Sequence, residues 1–318
     1  MGANHMTILT TAHPLDDVRV NQKFRESLLA AGWSVSWIGP DRFIFEESLS
    51  RRADPQTKLF KSSPGKIGRL RSMLNASYSI IKSRPKGWIY CPDPDAALLA
   101  LLWTRRRHSR VVFDIHEDFH NGPLENWVGR RVAPVARRAL LALIRAIAKR
   151  STIVISVNDS LSRAYAGDHP NALVMRNMAP SRFAEDYVPR KRGGPIRLFH
   201  GKTSRGNGTP IVLQAIRHVE GATVTMIPHS LAPGAPNYWD GFDEQLRDSG
   251  SRDKVAIVDP VPHHQMAKLL DNHSVGMIAY GRTLGVTSLP NRLFEYMARG
   301  LAVMVPSYSK EIVPIVRN

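Results

Sequence analysis

Residues 287–305 read Thr-Ser-Leu-Pro-Asn-Arg-Leu-Phe-Glu-Tyr-Met-Ala-Arg-Gly-Leu-Ala-Val-Met-Val, and they predict a loop, a short helix and a buried parallel strand. Thr287 or Ser288 can cap the helix, and Pro290 suits its first turn. Gly300 can end the helix in a left-handed turn. The N–H groups at such a helix start favour an anion, and one carboxylate, Glu295, lies within the helix. The stretch therefore predicts a site for a phosphate beside a hydroxylated group, although a solvated surface glutamate would fit the same local pattern.

The rest of the chain alternates between short β-rich runs and helical segments. Repeated strand–helix–strand units imply parallel sheets covered by helices on both faces. The predicted strands are 7–11, 34–39, 88–91, 110–115, 152–157 and 172–176 in the first half, and 196–200, 222–227, 255–258, 275–279 and 302–305 in the second. A Pro- and Gly-containing stretch, 177–195, is predicted to be a linker. We therefore expect an α/β fold with two doubly wound Rossmann-like domains, 1–185 and 186–318, that face a cleft.

Composition limits the class of protein. The 318 residues include one cysteine, so a disulfide framework is excluded and a reducing compartment is expected. The N-terminal residues lack the apolar core of a signal peptide, and the longest apolar run, 96–103, is too short to cross a bilayer. We therefore expect a cytoplasmic protein. The net charge is +17, and residues 51–150 hold 21 Lys and Arg against 7 Asp and Glu, which favours an anionic partner.

Several motifs, in their order along the chain, resemble the retaining GT-B glycosyltransferases of family 4, which use nucleotide sugars. Those of the first half are His-Pro-Leu-Asp-Asp-Val-Arg at 13–19, Tyr-Cys-Pro-Asp-Pro-Asp at 90–95, Phe-Asp-Ile-His-Glu at 113–117 and Ile-Ser-Val-Asn-Asp-Ser at 155–160. In the second half, His-Gly-Lys-Thr-Ser-Arg-Gly at 200–206 is similar to the phosphate loop of the family, and 287–305 to its nucleotide-binding helix. The resemblance implies a GT-B fold with an acceptor-side first domain and a short nucleotide-sugar-binding second domain.

The resemblance also implies how the donor is bound. Glycosyl transfer builds negative charge on the leaving diphosphate, which fixed cations and backbone donors can stabilise. We assign Lys202 and Arg205, on the loop that begins at Gly201, to the diphosphate. The N–H groups around Ser288 and Leu289 form a second anion site, and Glu295 matches the carboxylate that accepts hydrogen bonds from the ribose. The donor-binding residues predicted in this way are Gly201, Lys202, Arg205, Ser288, Leu289, Asn291, Arg292 and Glu295.

In the first domain the resemblance implies that His116, at the end of a strand, approaches the transferred sugar and stabilises the transition state. Glu117 and Asp118 follow directly and could orient His116 or contact the acceptor. Asp17 and Arg19, on the loop after the first strand, are expected to bind the acceptor or the donor sugar. The predicted catalytic residues are thus His116, Glu117 and Asp17, and the acceptor-side residues are Asp17, Arg19 and Asp118.

Two features depart from the family or mimic another one. The family often has a second glutamate eight positions before 295, where this chain has Thr287, so the usual contact to the donor sugar is missing or comes from elsewhere. Asp93 and Asp95 have the spacing of the Asp-x-Asp metal motif of other glycosyltransferases. In this fold the pair matches a strand end and a helix cap. We therefore expect no metal and no organic cofactor beyond the nucleotide-sugar co-substrate, a UDP- or GDP-sugar.

The basic middle of the chain suggests a partner. Residues 129–150 and 58–86 place Lys and Arg beside apolar residues, a combination that suits an anionic membrane surface. A helix packed on a sheet with a solvated basic face would give the same pattern. We expect peripheral binding at the inner face of the cell membrane, with a glycan or lipid-linked acceptor and a role in polysaccharide biosynthesis.

Other functions remain open. An inverting GT-B transferase would use Asp17 or Glu117 as general base, and a nucleotide-sugar epimerase would turn over the donor without an acceptor. A basic nucleic-acid-binding protein is disfavoured because few aromatic residues interleave with the basic runs. A catalytically dead scaffold of the same fold is the remaining alternative.

Overall fold

The computed structural model describes residues 4–45, 53–62, 65–104, 109–118, 129, 131–189, 194–229 and 239–317. They form two compact units, Met1–Arg176 and Asn177–Asn318. The limits predicted for the domains, 1–185 and 186–318, and the roles assigned to them stay predictions.

Unit 1 contains a parallel sheet of seven strands in the order β3-β2-β1-β4-β5-β6-β7. The strands are β1 His5–Leu9, β2 Ser34–Pro40, β3 Thr57–Phe60, β4 Trp88–Cys91, β5 Arg110–Ile115, β6 Ile153–Ser156 and β7 Ala172–Val174. The helices are α1 (Val18–Arg25 and Glu26–Ala30), α2 Gly65–Ser83, α3 Pro94–Thr104, α4 Ala133–Arg150 and α5 (Asp159–Leu161 and Ser162–Ala166). Strand order reverses between β1 and β4, the place where open α/β sheets bind ligands.

Alternation along the central strands of unit 1 builds two cores. Leu9, Ile89 and Phe113 point to the face covered by the core residues of α2, α3 and α4. Ile8 and Tyr90 point to the opposite face, towards Val20 of α1. Because successive side chains of a strand alternate between faces, buried strands of a parallel sheet are apolar on both sides. This explains why β4 and β5 lie where their apolar runs predict.

Unit 2 repeats the arrangement with a five-stranded parallel sheet in the order β10-β9-β8-β11-β12. Its strands are β8 Ile196–Lys202, β9 Ala222–Ile227, β10 Val255–Ile257, β11 Val275–Met277 and β12 Ala302–Met304. Its helices are α6 Arg182–Glu185, α7 Thr209–Ile216, α8 Phe242–Ser249, α9 His263–Leu270, α10 Arg282–Gly285, α11 Asn291–Ala298 and α12 Val313–Arg317. The fold class predicted from the sequence, α/β with two doubly wound sheets, is confirmed.

Three local expectations need correction. The strand β3 was not predicted. The sequence pattern predicts a helix over 127–149, whereas α4 extends over Ala133–Arg150; residues 119–128 and 130 lie outside the described part of the chain. The first half of the predicted linker is packed structure, because Phe183 is 1% exposed and Asn177 Nδ2 donates to Leu289 O at 3.0 Å. Gly300 has a φ of +61° after α11, as predicted. None of the described helices is both long and apolar enough to cross a membrane.

Candidate functional site

The loop after β1 is fixed to the start of α3 by carboxylates. Thr10 Oγ1 and the Thr11 N–H donate to Asp93 Oδ2 at 2.6 and 2.9 Å. Thr11 Oγ1 donates to Asp95 Oδ2 at 2.8 Å. Asp93 and Asp95 therefore hold two loops together at the carboxyl ends of β1 and β4. Within the described ranges, no three His, Cys, Asp or Glu side chains are grouped so that they could hold a metal.

His13, which the sequence did not single out, lies between two carboxylates. Its Nδ1 is 3.0 Å from Asp17 Oδ2, and its Nε2 is 3.5 Å from Asp93 Oδ1. Burial opposes the charged ring, but Asp93 and Asp17 outweigh it and raise the pKa of His13 to about 9. Burial likewise opposes ionisation of Asp17, yet the hydrogen bond with His13 keeps the pKa of Asp17 below its usual value. Asp17 Oδ1 also accepts from the Val20 N–H at 2.8 Å, so Asp17 caps α1.

Arg19 forms a buried ion pair with Asp114 of β5. Its Nε and Nη2 donate to the two carboxylate oxygens at 2.8 and 2.7 Å, with exposures of 6% for Arg19 and 0% for Asp114. Tyr90 Oη of β4 donates to Asp114 as well. Burial disfavours the Asp114 carboxylate, but Arg19 more than compensates and lowers the pKa of Asp114. The pair ties α1 to the sheet beneath the ends of β4 and β5.

His116 follows β5, and one of its ring nitrogens is not hydrogen-bonded. Among the described residues its buried Nδ1 has no hydrogen-bond partner, and it lies 3.9 Å from Asp114 Oδ2. Its ring centroid is 5.0 Å from that of His13. Burial, and after it the charge of His13, lowers the pKa of His116 despite Asp114. At neutral pH, His13 is therefore the charged member of the two and His116 the neutral one.

The two acids that follow His116 differ in their surroundings. Glu117 is exposed and Asp118 is half-buried. Asp118 Oδ1 accepts from Tyr165 Oη at 3.2 Å, so Asp118 is held against α5. Unit 1 thus brings Asp17, Arg19 and His116 together around Asp114 and His13, with Glu117 and Asp118 next to them in sequence.

In unit 2, the loop between β8 and α7 is held by hydrogen bonds to Thr209 and by a tight turn at Gly208. Gly201 and Lys202 end β8. Thr209 Oγ1 accepts from the Ser204 N–H at 3.0 Å and lies 2.9 Å from His200 Nε2. Gly208 has a φ of +76°, and a Cβ there would lie 1.8 Å from Ala279 O, so only glycine fits this position. The loop therefore turns tightly from strand to helix.

Three predicted cations lie on or beside this loop. Arg292 Nη1 of α11 donates to His200 O at 2.9 Å, and its guanidinium stands 4.8 Å from the Tyr280 ring centre. Burial, and then the charge of Arg292, lower the pKa of Lys202. The same two causes lower the pKa of His200 to about 3. Arg205 is exposed, with its guanidinium 5.9 Å from the Trp239 ring centre.

The start of α11 differs from the prediction. The helix begins at Asn291, with Pro290 before it rather than inside it, and no side chain caps it. Ser288 Oγ instead donates to Leu284 O, and the buried Leu289 O accepts from Asn177. Capping by Ser288 was therefore wrong. The helix start presents backbone N–H groups without a side-chain cap, a feature that favours anions.

Glu295 is buried beside a histidine that the sequence did not link to it. Glu295 Oε1 lies 2.9 Å from His263 Nε2, with side-chain exposures of 9% and 6%. The His263 ring packs on Phe183 with centroids 4.8 Å apart. The two residues are 32 positions apart, and only the parallel sheet brings α9 and α11 together. Glu295 is therefore a positioned buried carboxylate, which excludes the surface glutamate considered above.

The chain belongs to the class of doubly wound α/β proteins. Each unit has polar residues where its strand order reverses, which is where proteins of this class bind ligands. No family model and no curated protein matches the chain, but solved structures do. Sucrose-phosphate synthase from Thermosynechococcus elongatus has 14% identity and a TM-score of 0.69, covering 95% of this chain and 80% of its own. HepE of Anabaena, solved with UDP and glucose, has 13% identity and a TM-score of 0.64, covering 98% and 89%.

A UDP-N-acetylglucosamine 2-epimerase candidate from Listeria monocytogenes also matches, with 11% identity and a TM-score of 0.55, covering 95% of this chain and 78% of its own. At such identities the likeness establishes the fold. The chain has the fold of GT-B glycosyltransferases, so the resemblance seen in the sequence is confirmed at that level. Its assignment to the retaining family 4 stays a prediction.

Proposed function

We propose that this protein is a nucleotide-sugar-dependent glycosyltransferase that moves a sugar to a glycan or lipid-linked acceptor with retention of configuration. One observation carries the proposal. The uncapped start of α11 and the cations Lys202 and Arg292 accompany a buried carboxylate, Glu295, in one Rossmann-like unit. This is the chemistry that a nucleoside diphosphate requires, namely anion donors for the phosphates and an acceptor for ribose hydroxyls.

Each donor contact follows from this chemistry. Lys202 and Arg205 neutralise charge that grows on the leaving diphosphate, and the N–H groups around Ser288 and Leu289 bind a second phosphate oxygen. Glu295, held by His263, accepts hydrogen bonds from the ribose. Arg292 and Asn291 belong to the first turn of the same helix. Arg292 also donates to the last residues of β8, so it fixes the phosphate loop relative to the helix.

In unit 1 we assign the reacting role to His116. A neutral imidazole with an open Nδ1 can exchange a hydrogen bond with a sugar hydroxyl, and Asp114 beside it stabilises positive charge that develops there. Asp17 is engaged by His13 and by the cap of α1, and its lowered pKa makes it a weak base. This favours retention over an inverting mechanism based on Asp17. For Arg19 we propose a supporting role through Asp114, and for Glu117 and Asp118 contact with the acceptor.

The positive charge at the donor site comes from side chains and a helix start, so we propose that no metal or further cofactor takes part. We further propose a cytoplasmic enzyme that binds the inner face of the cell membrane and acts in polysaccharide biosynthesis. The support for this localisation is the excess of Lys and Arg in residues 51–150, which attracts anionic lipid.

A nucleotide-sugar epimerase is the second candidate, because one solved structure of similar fold is described as such an enzyme. An inverting transferase that uses Glu117, a nucleic-acid-binding protein and a catalytically dead scaffold would each leave a different signature. An epimerase converts the donor without an acceptor. An inverting enzyme gives the opposite anomer, a scaffold binds the donor without turnover, and a nucleic-acid-binding protein binds DNA or RNA in a salt-sensitive manner.

The test is a thermal-shift screen with UDP-, GDP- and ADP-sugars, followed by NMR of the product anomer for any donor that binds. We expect one nucleotide class to raise the unfolding temperature, because a ligand that binds only the native state stabilises it. Turnover should then require an acceptor and keep the anomeric configuration. The absence of a shift with every donor would refute the proposal.

A further inference from the structure

Helix α2 has two apolar faces, of which only one is used by the core. Ala76 and Ile80 are 0% and 3% exposed, and they pack against the sheet of unit 1. On the other side of the helix, Ile67, Leu70, Leu74, Tyr78 and Ile81 are 72%, 58%, 63%, 65% and 45% exposed. Their spacing of three and four residues places them in one stripe along the helix. We call these five side chains the outer stripe of α2.

A helix that covers a parallel sheet needs one apolar face and is normally polar on the other. Contiguous exposed apolar side chains of this size mark an interaction surface. The outer stripe extends over residues 67–81 of a helix of 19 residues, which is about 28 Å long at 1.5 Å per residue. The fold of unit 1 therefore leaves a long apolar face without a partner inside the described part of the chain.

Charge around the outer stripe selects the kind of partner. Residues 55–92 contain eight Lys and Arg and no Asp or Glu. Arg71 and Lys82, within α2, are exposed, and so are Lys61 before it and Arg84 after it. A second copy of this chain would bring the same positive charges against one another, which disfavours a dimer through this face. An apolar stripe bordered by basic residues fits the interface of an anionic bilayer, where Lys and Arg meet headgroups and apolar side chains enter the acyl boundary.

We propose that the outer stripe of α2 lies in the plane of an anionic membrane surface, with Leu70, Leu74 and Tyr78 at the centre of the inserted face. The proposal deepens the membrane partner named under the proposed function, since it identifies the contacting element, and it rests on that partner alone. Donor binding belongs to unit 2 and is measured separately. A failure of membrane binding and a failure of the transferase proposal are therefore distinguishable.

A site-specific probe tests the insertion. The only cysteine, Cys91, is buried, so Tyr78→Cys in the folded protein can be labelled selectively with an environment-sensitive fluorophore. Ile211→Cys in unit 2, where Ile211 is 64% exposed, is the matched control. With vesicles of phosphatidylcholine and phosphatidylglycerol we expect a blue shift of emission at position 78 and none at 211. Phosphatidylcholine vesicles or high salt should suppress the shift, because screening weakens the charge term. No shift at 78, or equal shifts at both positions, would overturn the proposal.

Unlabelled variants test the energetics. Leu70→Ser with Leu74→Ser should lower vesicle partitioning in co-sedimentation at least about tenfold, because two apolar side chains no longer leave water. Ile211→Ser with Val188→Ser, at positions 64% and 77% exposed, should leave partitioning unchanged. Both double variants should keep the nucleotide-sugar affinity of the parent. A parent that is dimeric by light scattering and becomes monomeric only in the Leu70 and Leu74 variant would assign the stripe to a second copy and refute membrane insertion.

Discussion

Replacing Arg19 with methionine tests the buried ion pair that underlies the unit 1 site. Methionine keeps much of the length and apolar character of the side chain but removes the guanidinium. Asp114, at 0% exposure, would then lose its two hydrogen bonds from Arg19 and keep the one from Tyr90. Breaking a buried pair by removing one partner costs about 3–5 kcal/mol. Since domains are stable by only about 5–15 kcal/mol, Arg19→Met should lose a large part of the free energy of unfolding of unit 1.

The assay is urea unfolding followed by tryptophan fluorescence, because five of the six tryptophans lie in residues 1–176. Arg25→Met is the matched control. Arg25 pairs with Asp54 at 2.9 Å, but the exposures of the two are 16% and 29%, so its removal should cost below about 1 kcal/mol. Arg19→Met combined with Asp114→Asn should recover part of the loss, because no unpaired charge remains buried.

Measuring the free energy of unfolding against pH tests whether Asp114 is left as an unpaired buried carboxylate in Arg19→Met. In the parent, the lowered pKa of Asp114 contributes stability that is present above the unfolded-state pKa and is lost as the pH falls through the folded-state pKa. Without Arg19, burial should raise that pKa, so the variant should become more stable on acidification from pH 7 to 5. A loss no larger than that of Arg25→Met, or a loss that does not change between pH 7 and 5, would refute this account of the pair.

Three further predictions concern the charge, the donor site and the backbone. The pKa of His13 is raised to about 9. The charged ring therefore contributes fully to the free energy of unfolding below the unfolded-state pKa of about 6.5. This contribution should fall by about 3 kcal/mol as the pH rises to 9. His13→Gln should flatten that dependence in urea titrations, and an unchanged slope would contradict the assignment. Glu295→Gln should weaken nucleotide-sugar binding about tenfold in calorimetry, the effect of losing a charged acceptor, whereas the exposed Glu244→Gln should bind as the parent does. Gly208→Ala should destabilise unit 2 by more than about 3 kcal/mol through its clash with Ala279. Gly221→Ala has a similar φ of +64° and open space, so hydrogen exchange should show a loss of only about 1 kcal/mol; equal losses would contradict the clash.

The central strands were predicted well because each is a run of apolar residues that can be recognised without knowing the rest of the fold. Residues 88–91, 110–115 and 222–227 were predicted as strands, and they match β4, β5 and β9. Both faces of such strands are covered, so each is a continuous apolar run. The edge strand β3 was missed. It has one neighbour, β2, and Lys58 within it is exposed, so its sequence lacks the apolar run of a central strand.

The hydrogen-bond partners of the site residues were less predictable, because they are distant in sequence and meet only in the folded chain. Arg19 and Asp114 are 95 positions apart, and Glu295 and His263 are 32 apart. The resemblance selected Arg19 and Glu295 as candidate ligand contacts but gave no sign of the groups that hold them. His13 was quoted only as part of a motif, although Asp17 at i+4 was a local signal. Residues 13–17 form a turn before α1 rather than a helix, so the turn brings the two side chains together.

The carboxylates around His116 are hydrogen-bonded by the chain itself, and we propose that the open ring nitrogen of His116 takes part in the reaction. Asp93, Asp17 and Asp114 are each engaged by groups of the chain itself, whereas the buried His116 Nδ1 has no hydrogen-bond partner among the described residues. A buried polar atom without a partner costs about 1–3 kcal/mol, and such violations concentrate at functional sites. His116→Leu removes this cost, so the free energy of unfolding of unit 1 should stay within about 1 kcal/mol of the parent. The rate of glycosyl transfer should fall by about a hundredfold or more, the effect of losing one preorganised donor. A variant that is destabilised by several kcal/mol yet keeps its turnover rate would instead identify His116 as part of the scaffold.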